Sequence, residues 1–245
     1  MENEKYVAVG AGQQIADTGK INAVIELGEY LLTSNRTQRL CRTTNTLALY
    51  NMSLEEILRR VFTTDEIGRF GAVKDMAKIS PSRFAVLMSN GDLWIMELNE
   101  DLLGFRLVEK LSLAQNSSSI CYQRNFIFAA VTRFARTSYI QQTLIKGEVQ
   151  EPTTKESAKR KYKHSLLSKS IRILAVDPDF VMYVCDKKRK LLYIFGKDTF
   201  SDSLMISEKT THRYRVLDIA RSAEGATYMA TDSSDGVVVL HKNRQ

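Results

Sequence analysis

Ala85-Val-Leu-Met-Ser-Asn-Gly-Asp-Leu-Trp-Ile-Met-Glu-Leu98 reads as an apolar strand, a polar turn and a second apolar strand. The chain repeats the pattern twice. The echoes are Val181-Met-Tyr-Val-Cys-Asp-Lys-Lys-Arg-Lys-Leu-Leu-Tyr-Ile-Phe195 and Thr227-Tyr-Met-Ala-Thr-Asp-Ser-Ser-Asp-Gly-Val-Val-Val-Leu240. Thr231 lies 46 residues after Cys185, and Cys185 lies 96 after Ser89, close to twice 48. A weaker copy, Phe128–Ile140, fills the gap, and another pairs Tyr30–Ser34 with Thr46–Tyr50. A four-stranded propeller blade takes roughly 40–50 residues. The spacing therefore predicts an all-β, WD40-like β-propeller, complete or partial, of about five to six blade-sized repeats, as a single domain over residues 1–245. A helical repeat is disfavoured, because β-branched and aromatic residues fill short apolar runs broken by turn residues.

Local signals refine this. Asn90-Gly91 between two apolar runs is a hairpin signal, since both residues tolerate positive φ. Pro81-Ser-Arg83 reads as a turn, and Trp94, the only tryptophan, is placed between blades. Tyr6–Val9 and Gly19–Ile25 read as an opening pair of strands. Gly10, Gly12 and Gly19 fit neither the dinucleotide fingerprint nor the Walker pattern, and Ile21 after Gly19-Lys20 leaves no hydroxyl for magnesium. Ser53–Val61 has two readings. Ser53 and Glu56 make a capping box, and Leu54, Ile57, Leu58 and Val61 share a helical face; Leu58–Phe62 can equally extend as a strand.

Composition sets bounds. Apolar content is 44 %, ordinary for a globular chain. No apolar run approaches the 18 or so residues of a membrane helix. The start, Met1-Glu-Asn-Glu-Lys5, lacks the basic and apolar segments of a secretory signal. Three scattered cysteines, Cys41, Cys121 and Cys185, point to a reducing compartment, with Cys185 a buried structural thiol.

The net charge of +7 is uneven. Residues 1–150 carry 17 Lys and Arg against 16 Asp and Glu; residues 151–245 carry 18 against 12. A basic loop insertion is expected at about 146–169. Its densest part, Lys159-Arg-Lys-Tyr-Lys-His164, has the look of a nuclear-targeting or nucleic-acid patch, with Tyr162 available to stack. Lys187-Lys-Arg-Lys190 fills a hairpin turn and adds charge if it shares that rim. Lys159, Arg160, Lys161, Lys163, Lys187, Lys188 and Arg189 are the candidate residues for a nucleic acid or acidic partner. A solvated loop that lengthens one blade is the plain alternative.

Enzymatic constellations are missing. His164, His212 and His241 lie far apart, and no Cys-x-x-Cys or His-x-x-x-His pair suggests zinc. There is no Gly-x-Ser-x-Gly elbow. Asp177, Asp179, Asp186 and Asp232 are available, but aspartate at a blade turn more often binds its own backbone. The reading is of a protein that is not an enzyme and needs no cofactor, metal or small-molecule substrate.

Several motifs, in order, resemble one propeller family. Lys5-Tyr-Val-Ala-Val-Gly-Ala-Gly12 followed by Thr18-Gly-Lys-Ile-Asn-Ala-Val-Ile25 is similar to a "YxxVGT" strand, an acidic excursion and a "GRI" strand. Gly71-Ala-Val73 and Leu93–Leu98 resemble later strands. Phe180–Asp186 through Leu191–Phe195 resembles a "GDxxxSVxxLxY" blade, with Lys190-Leu191 in place of Ser-Val. Tyr228–Asp232 through Gly236–Leu240 resembles a "GADxxGNxxVL" blade. The family comprises the large subunit of damaged-DNA-binding protein, the A subunit of the cleavage and polyadenylation specificity factor, and splicing factor 3b subunit 3. The match covers about half the chain, and the interval between its first and last motifs is longer here than in the family. The resemblance implies a non-catalytic scaffold in a nuclear multi-subunit complex, either pre-mRNA processing and splicing or a cullin-type ubiquitin ligase. Its expected partners are protein subunits, with RNA or DNA contact through the basic residues and no membrane. A cytoplasmic trafficking or signalling propeller is the alternative.

Overall fold

The computed structural model describes residues 20–39, 42–68, 71–132, 138–145, 159–165, 167–186, 188–189, 191–197, 204–211, 216–221, 227–231 and 237–240. The expected strand at Tyr6–Val9 lies outside them, as do Cys41, His212, Asp232 and His241.

The fold is a β-propeller built of antiparallel meanders, each a blade. The first sheet orders β1 (Lys20–Leu27), β2 (Tyr30–Arg39), β3 (Arg42–Tyr50) and β4 (Glu56–Phe62). A single helical turn, α1 (Thr64–Ile67), leads to the second: β5 (Val73–Lys78), β6 (Arg83–Met88), β7 (Asp92–Leu98) and β8 (Phe105–Ser112). The third holds β9 (Ser117–Gln123), β10 (Phe126–Val131), β11 (Tyr139–Leu144) and β12 (Lys159–Lys163). The fourth holds β13 (Ile171–Val176), β14 (Met182–Asp186), β15 (Leu191–Lys197) and β16 (Leu204–Thr211). A fifth has β17 (Val216–Arg221), β18 (Thr227–Thr231) and β19 (Val237–Leu240) among the described residues. Each repeat detected in the sequence is the hairpin of the second and third strands of one sheet.

The chain divides into two compact units. One spans Gln13–Tyr122; the other holds Gln123–Gln245 with the first twelve residues. In the first unit, the facing sides of the first two sheets bury Leu32, Leu47, Leu49, Phe62, Phe84, Val86, Trp94 and Met96. Trp94 sits between blades as predicted, its ring edge-on to Phe62 at 5.7 Å and 77°. In the second unit, Tyr183, Cys185 and Leu192 of the fourth sheet pack on Ile219 of the fifth. Cys185 is 2 % exposed, a buried thiol as predicted.

The Ser53–Val61 ambiguity resolves as strand. Leu58, Arg60 and Phe62 turn inward while Ile57, Arg59 and Val61 face solvent, a period of two. Arg59 meets Glu56, and Arg60 reaches Glu66 at 2.8 Å. The hairpin at Asn90-Gly91 is present, but only Gly91 takes positive φ, +91°. Asn90 instead accepts the Asp92 N–H at 3.0 Å. Arg124 and Asn125 form a second two-residue turn, both at positive φ (46° and 66°) without any glycine.

A bulge recurs in the first strand. Pairing with the second strand slips once in each of four sheets, leaving Asn22, Lys74, Leu174 and Leu217 as extra residues. Bulges re-aim side chains. Asn22 donates to the Val73 carbonyl of β5 at 3.3 Å, and Lys74 to the Ser117 carbonyl of β9 at 2.9 Å. Burial holds the Lys74 ammonium pKa below its ordinary value.

Candidate interaction surface

The densest basic run forms a strand, which corrects the expected loop over that part of 146–169; residues 146–158 lie outside the described residues. Lys159–Lys163 pairs antiparallel with β11, with Tyr139 opposite Lys163 and Thr143 opposite Lys159. The sequence looks like a loop because strand-favouring residues are scarce in it. Pairing with a buried neighbouring strand overrides that preference.

Alternation then decides what each residue can do. Lys161 and Lys163 are exposed, Arg160 is half-buried and Tyr162 is fully buried. The Tyr162 hydroxyl donates to Gln142 Oε1. Tyr162 is therefore not available to stack on a base, which corrects the expectation. A second aromatic ring of this region, Tyr139, is 3 % exposed, with Lys161 Nζ 5.6 Å from its centroid.

The second basic cluster is joined to this one by a short connector. Residues 164–170 carry the chain from Lys163 to Ile171, which pairs with Asp186 at the end of β14. His164, in this connector, packs its ring 5.3 Å from Phe195. Lys188 and Arg189 follow Asp186 and are exposed. Lys187 and Lys190 lie outside the described residues.

Aspartates at the turns serve the backbone, as the sequence reading expects. Asp177 Oδ1 accepts from the N–H groups of Asp179 (3.0 Å) and Val181 (2.8 Å). Asp186 Oδ1 accepts from Lys188 (3.0 Å), Arg189 (3.2 Å) and the Ser170 hydroxyl. Burial pushes the Asp186 pKa up. The Ser170 and Ser168 hydroxyls and the two N–H groups outweigh that and hold it below the ordinary value. Among the described residues, no three His, Cys, Asp or Glu side chains gather as a metal site.

Sequence reasoning missed an open cleft of about 930 Å³ in the first unit. The β1–β2, β5–β6 and β7–β8 turns form it, with Glu29, Glu100 and Asp101 on its walls. Glu97 there is paired with Arg106. Its residues come from turns distant in sequence, and no local motif announces them. It also missed the exposed apolar side chains on outer strands, Ile57 and Val61 of β4 and Leu107 and Val108 of β8.

No protein-family model matches the chain, and no curated protein matches it. Solved structures do. A protein of unknown function from Bacteroides caccae is similar over 88 % of this chain and 70 % of its own, with TM-score 0.57 and 10 % identity. A functionally unknown protein from Desulfotomaculum acetoxidans DSM 771 is similar over 89 % and 68 %, with TM-score 0.53 and 13 % identity. At such identities the likeness is of fold alone.

Proposed function

We propose that this chain is a non-catalytic β-propeller scaffold that holds protein subunits together in a nuclear multi-subunit complex. The observation that carries the reading is the set of apolar side chains left in solvent on outer strands. Ile57 (39 % exposed) and Val61 (51 %) lie on one face of β4; Leu107 (44 %) and Val108 (37 %) lie on β8. Apolar groups clustered on a surface mark protein contact more often than chemistry. The aspartates that could serve as acids or bases are committed to their own turns. The motif order resembling the damaged-DNA-binding, cleavage-factor and splicing-factor propellers supports a complex of the ubiquitin-ligase or pre-mRNA-processing kind.

Affinity purification of the tagged chain at mild salt, followed by mass spectrometry, tests this. Cullin and ligase subunits would make it an adaptor, and splicing or cleavage factors an RNA-processing scaffold. Recovery of vesicle-coat proteins, or of no partner, would overturn the function and leave the fold.

A further inference from the structure

Lysine on an edge strand can simply deter pairing with a second chain, so the other edges are the control. Strands β4 and β8 end their sheets too, and their cations are neutralised. Arg59 meets Glu56, Arg60 meets Glu66, Arg106 meets Glu97, and Lys110 lies 2.9 Å from Asp92. On β12 no acidic group pairs with Lys161 or Lys163 among the described residues. Deterring aggregation needs charge, but it does not need charge left unneutralised.

We propose that β12 binds the phosphodiester backbone of nucleic acid, without regard to base sequence. Three features carry this. Lys161 and Lys163 project from one face two residues apart, about 6.6 Å at a strand's 3.3 Å rise. Phosphates on one strand follow one another at roughly 3.4 Å of helix axis while winding around it, so ammonium groups at this spacing are placed to meet neighbouring phosphates of a single strand. Base reading then lacks its usual tools. Tyr162 is buried and hydrogen-bonded, Tyr139 is buried beneath Lys161, the half-buried His164 ring is packed on Phe195, and an ammonium is a point charge without the planar fork of a guanidinium. Finally, an acidic protein partner would want apolar anchors beside the charges. The large apolar side chains exposed among the described residues all fall between Val24 and Val108, none of them in the unit that holds β12. Lys188, exposed at the far end of the connector from Lys163, adds to this charge, whereas Arg189 beside it is paired with Asp186 at 3.7 Å.

The inference deepens the scaffold reading and rests on it for the non-catalytic role alone. Fluorescence anisotropy with the full chain tests it, using fluorescein-labelled 30-mers of oligo-dT and of mixed sequence. Both are expected to bind within about threefold of each other. The K161Q/K163Q variant should lose roughly tenfold in affinity for both, and the salt slope should fall by about 1.4, near 0.7 per lost contact on a single strand. An unchanged circular-dichroism melt would show that the exposed substitutions leave the fold intact. K110Q, on the neutralised edge of β8, should bind as the parent does. A tenfold preference between the two oligonucleotides overturns sequence-blind binding. Failure to bind either at low salt overturns the site. So does capture of labelled polyglutamate in their place, lost in K161Q/K163Q, which would make the partner an acidic protein. In these last two cases, co-purified subunits would leave the scaffold reading standing.

Discussion

Asp75 Oδ2 accepts the backbone N–H of Ile120 at 2.9 Å, tying β5 to β9 through a side chain that is 4 % exposed. Its neighbour Lys74 reaches the same strand, at the Ser117 carbonyl. Consecutive residues of a regular strand point to opposite faces. Here the bulge at Lys74 breaks the alternation, so both reach β9. Asp75→Ala leaves a buried N–H without its acceptor and should cost about 1–3 kcal/mol in urea unfolding. Asp75→Asn keeps an acceptor oxygen and should cost less. Equal losses would mean that charge, not the hydrogen bond, matters at this position.

Gly91 is needed twice over. Its φ is +91°, and a Cβ there would sit 2.9 Å from the Gln115 Cα. Gly91→Ala should therefore destabilise by about 1–3 kcal/mol, the usual cost of a strained backbone position. A melting temperature equal to the parent's would show that the turn and the 115 segment shift at little cost.

Trp94 makes the first unit separately observable, because it is the chain's one tryptophan and is 3 % exposed. Its fluorescence should be blue-shifted in the native state and move red when residues 13–122 unfold. Phe62→Ala removes the edge-on ring beneath it and should cost about 3–5 kcal/mol. The loss should show in the tryptophan transition. An unmoved midpoint would mean that the Phe62–Trp94 contact contributes little.

What could be read from the sequence follows from burial. The central hairpins repeat visibly because their strands are buried on both faces; Phe126–Val131 is buried at every position. Outer strands have one wet face and lose the signal. Ser53 and Glu56 make a capping box that never caps, because Glu56 opens a strand, and Lys159–Lys163 reads as a loop although Tyr162 anchors it to Gln142. The bulges at Asn22 and Lys74 leave no trace in composition, since what they change is direction. The basic residues stand out in the sequence by composition alone. Which of them face solvent became clear only once β12 was known to be a strand.

Asp186 gives the second unit an acid limit. Its folded pKa lies below the ordinary carboxylate value, so the unfolded chain takes up a proton first as pH falls. Its contribution is full above about pH 5 and is lost as pH drops through the unfolded value near 3.9 and on through the folded one. Asp186→Asn should lower stability near neutral pH by about 1–3 kcal/mol and flatten the fall below pH 5. Far-UV circular dichroism is the readout, because the tryptophan lies in the other unit. An unchanged pH profile would assign the acid limit to another carboxylate.

Tyr162→Phe separates structure from binding on the one strand where both meet. The substitution removes the hydroxyl that Gln142 Oε1 accepts from, in a position with no solvent exposure. It should cost about 1–3 kcal/mol, the range for a buried acceptor left unpaired. The exposed face of β12 keeps Lys161 and Lys163, so oligonucleotide affinity at fixed temperature should stay within about twofold of the parent. A large loss of affinity with little loss of stability would mean that the phenol reaches the ligand after all. The ring would then have to turn out of its buried site, and the backbone-only reading would fail with it.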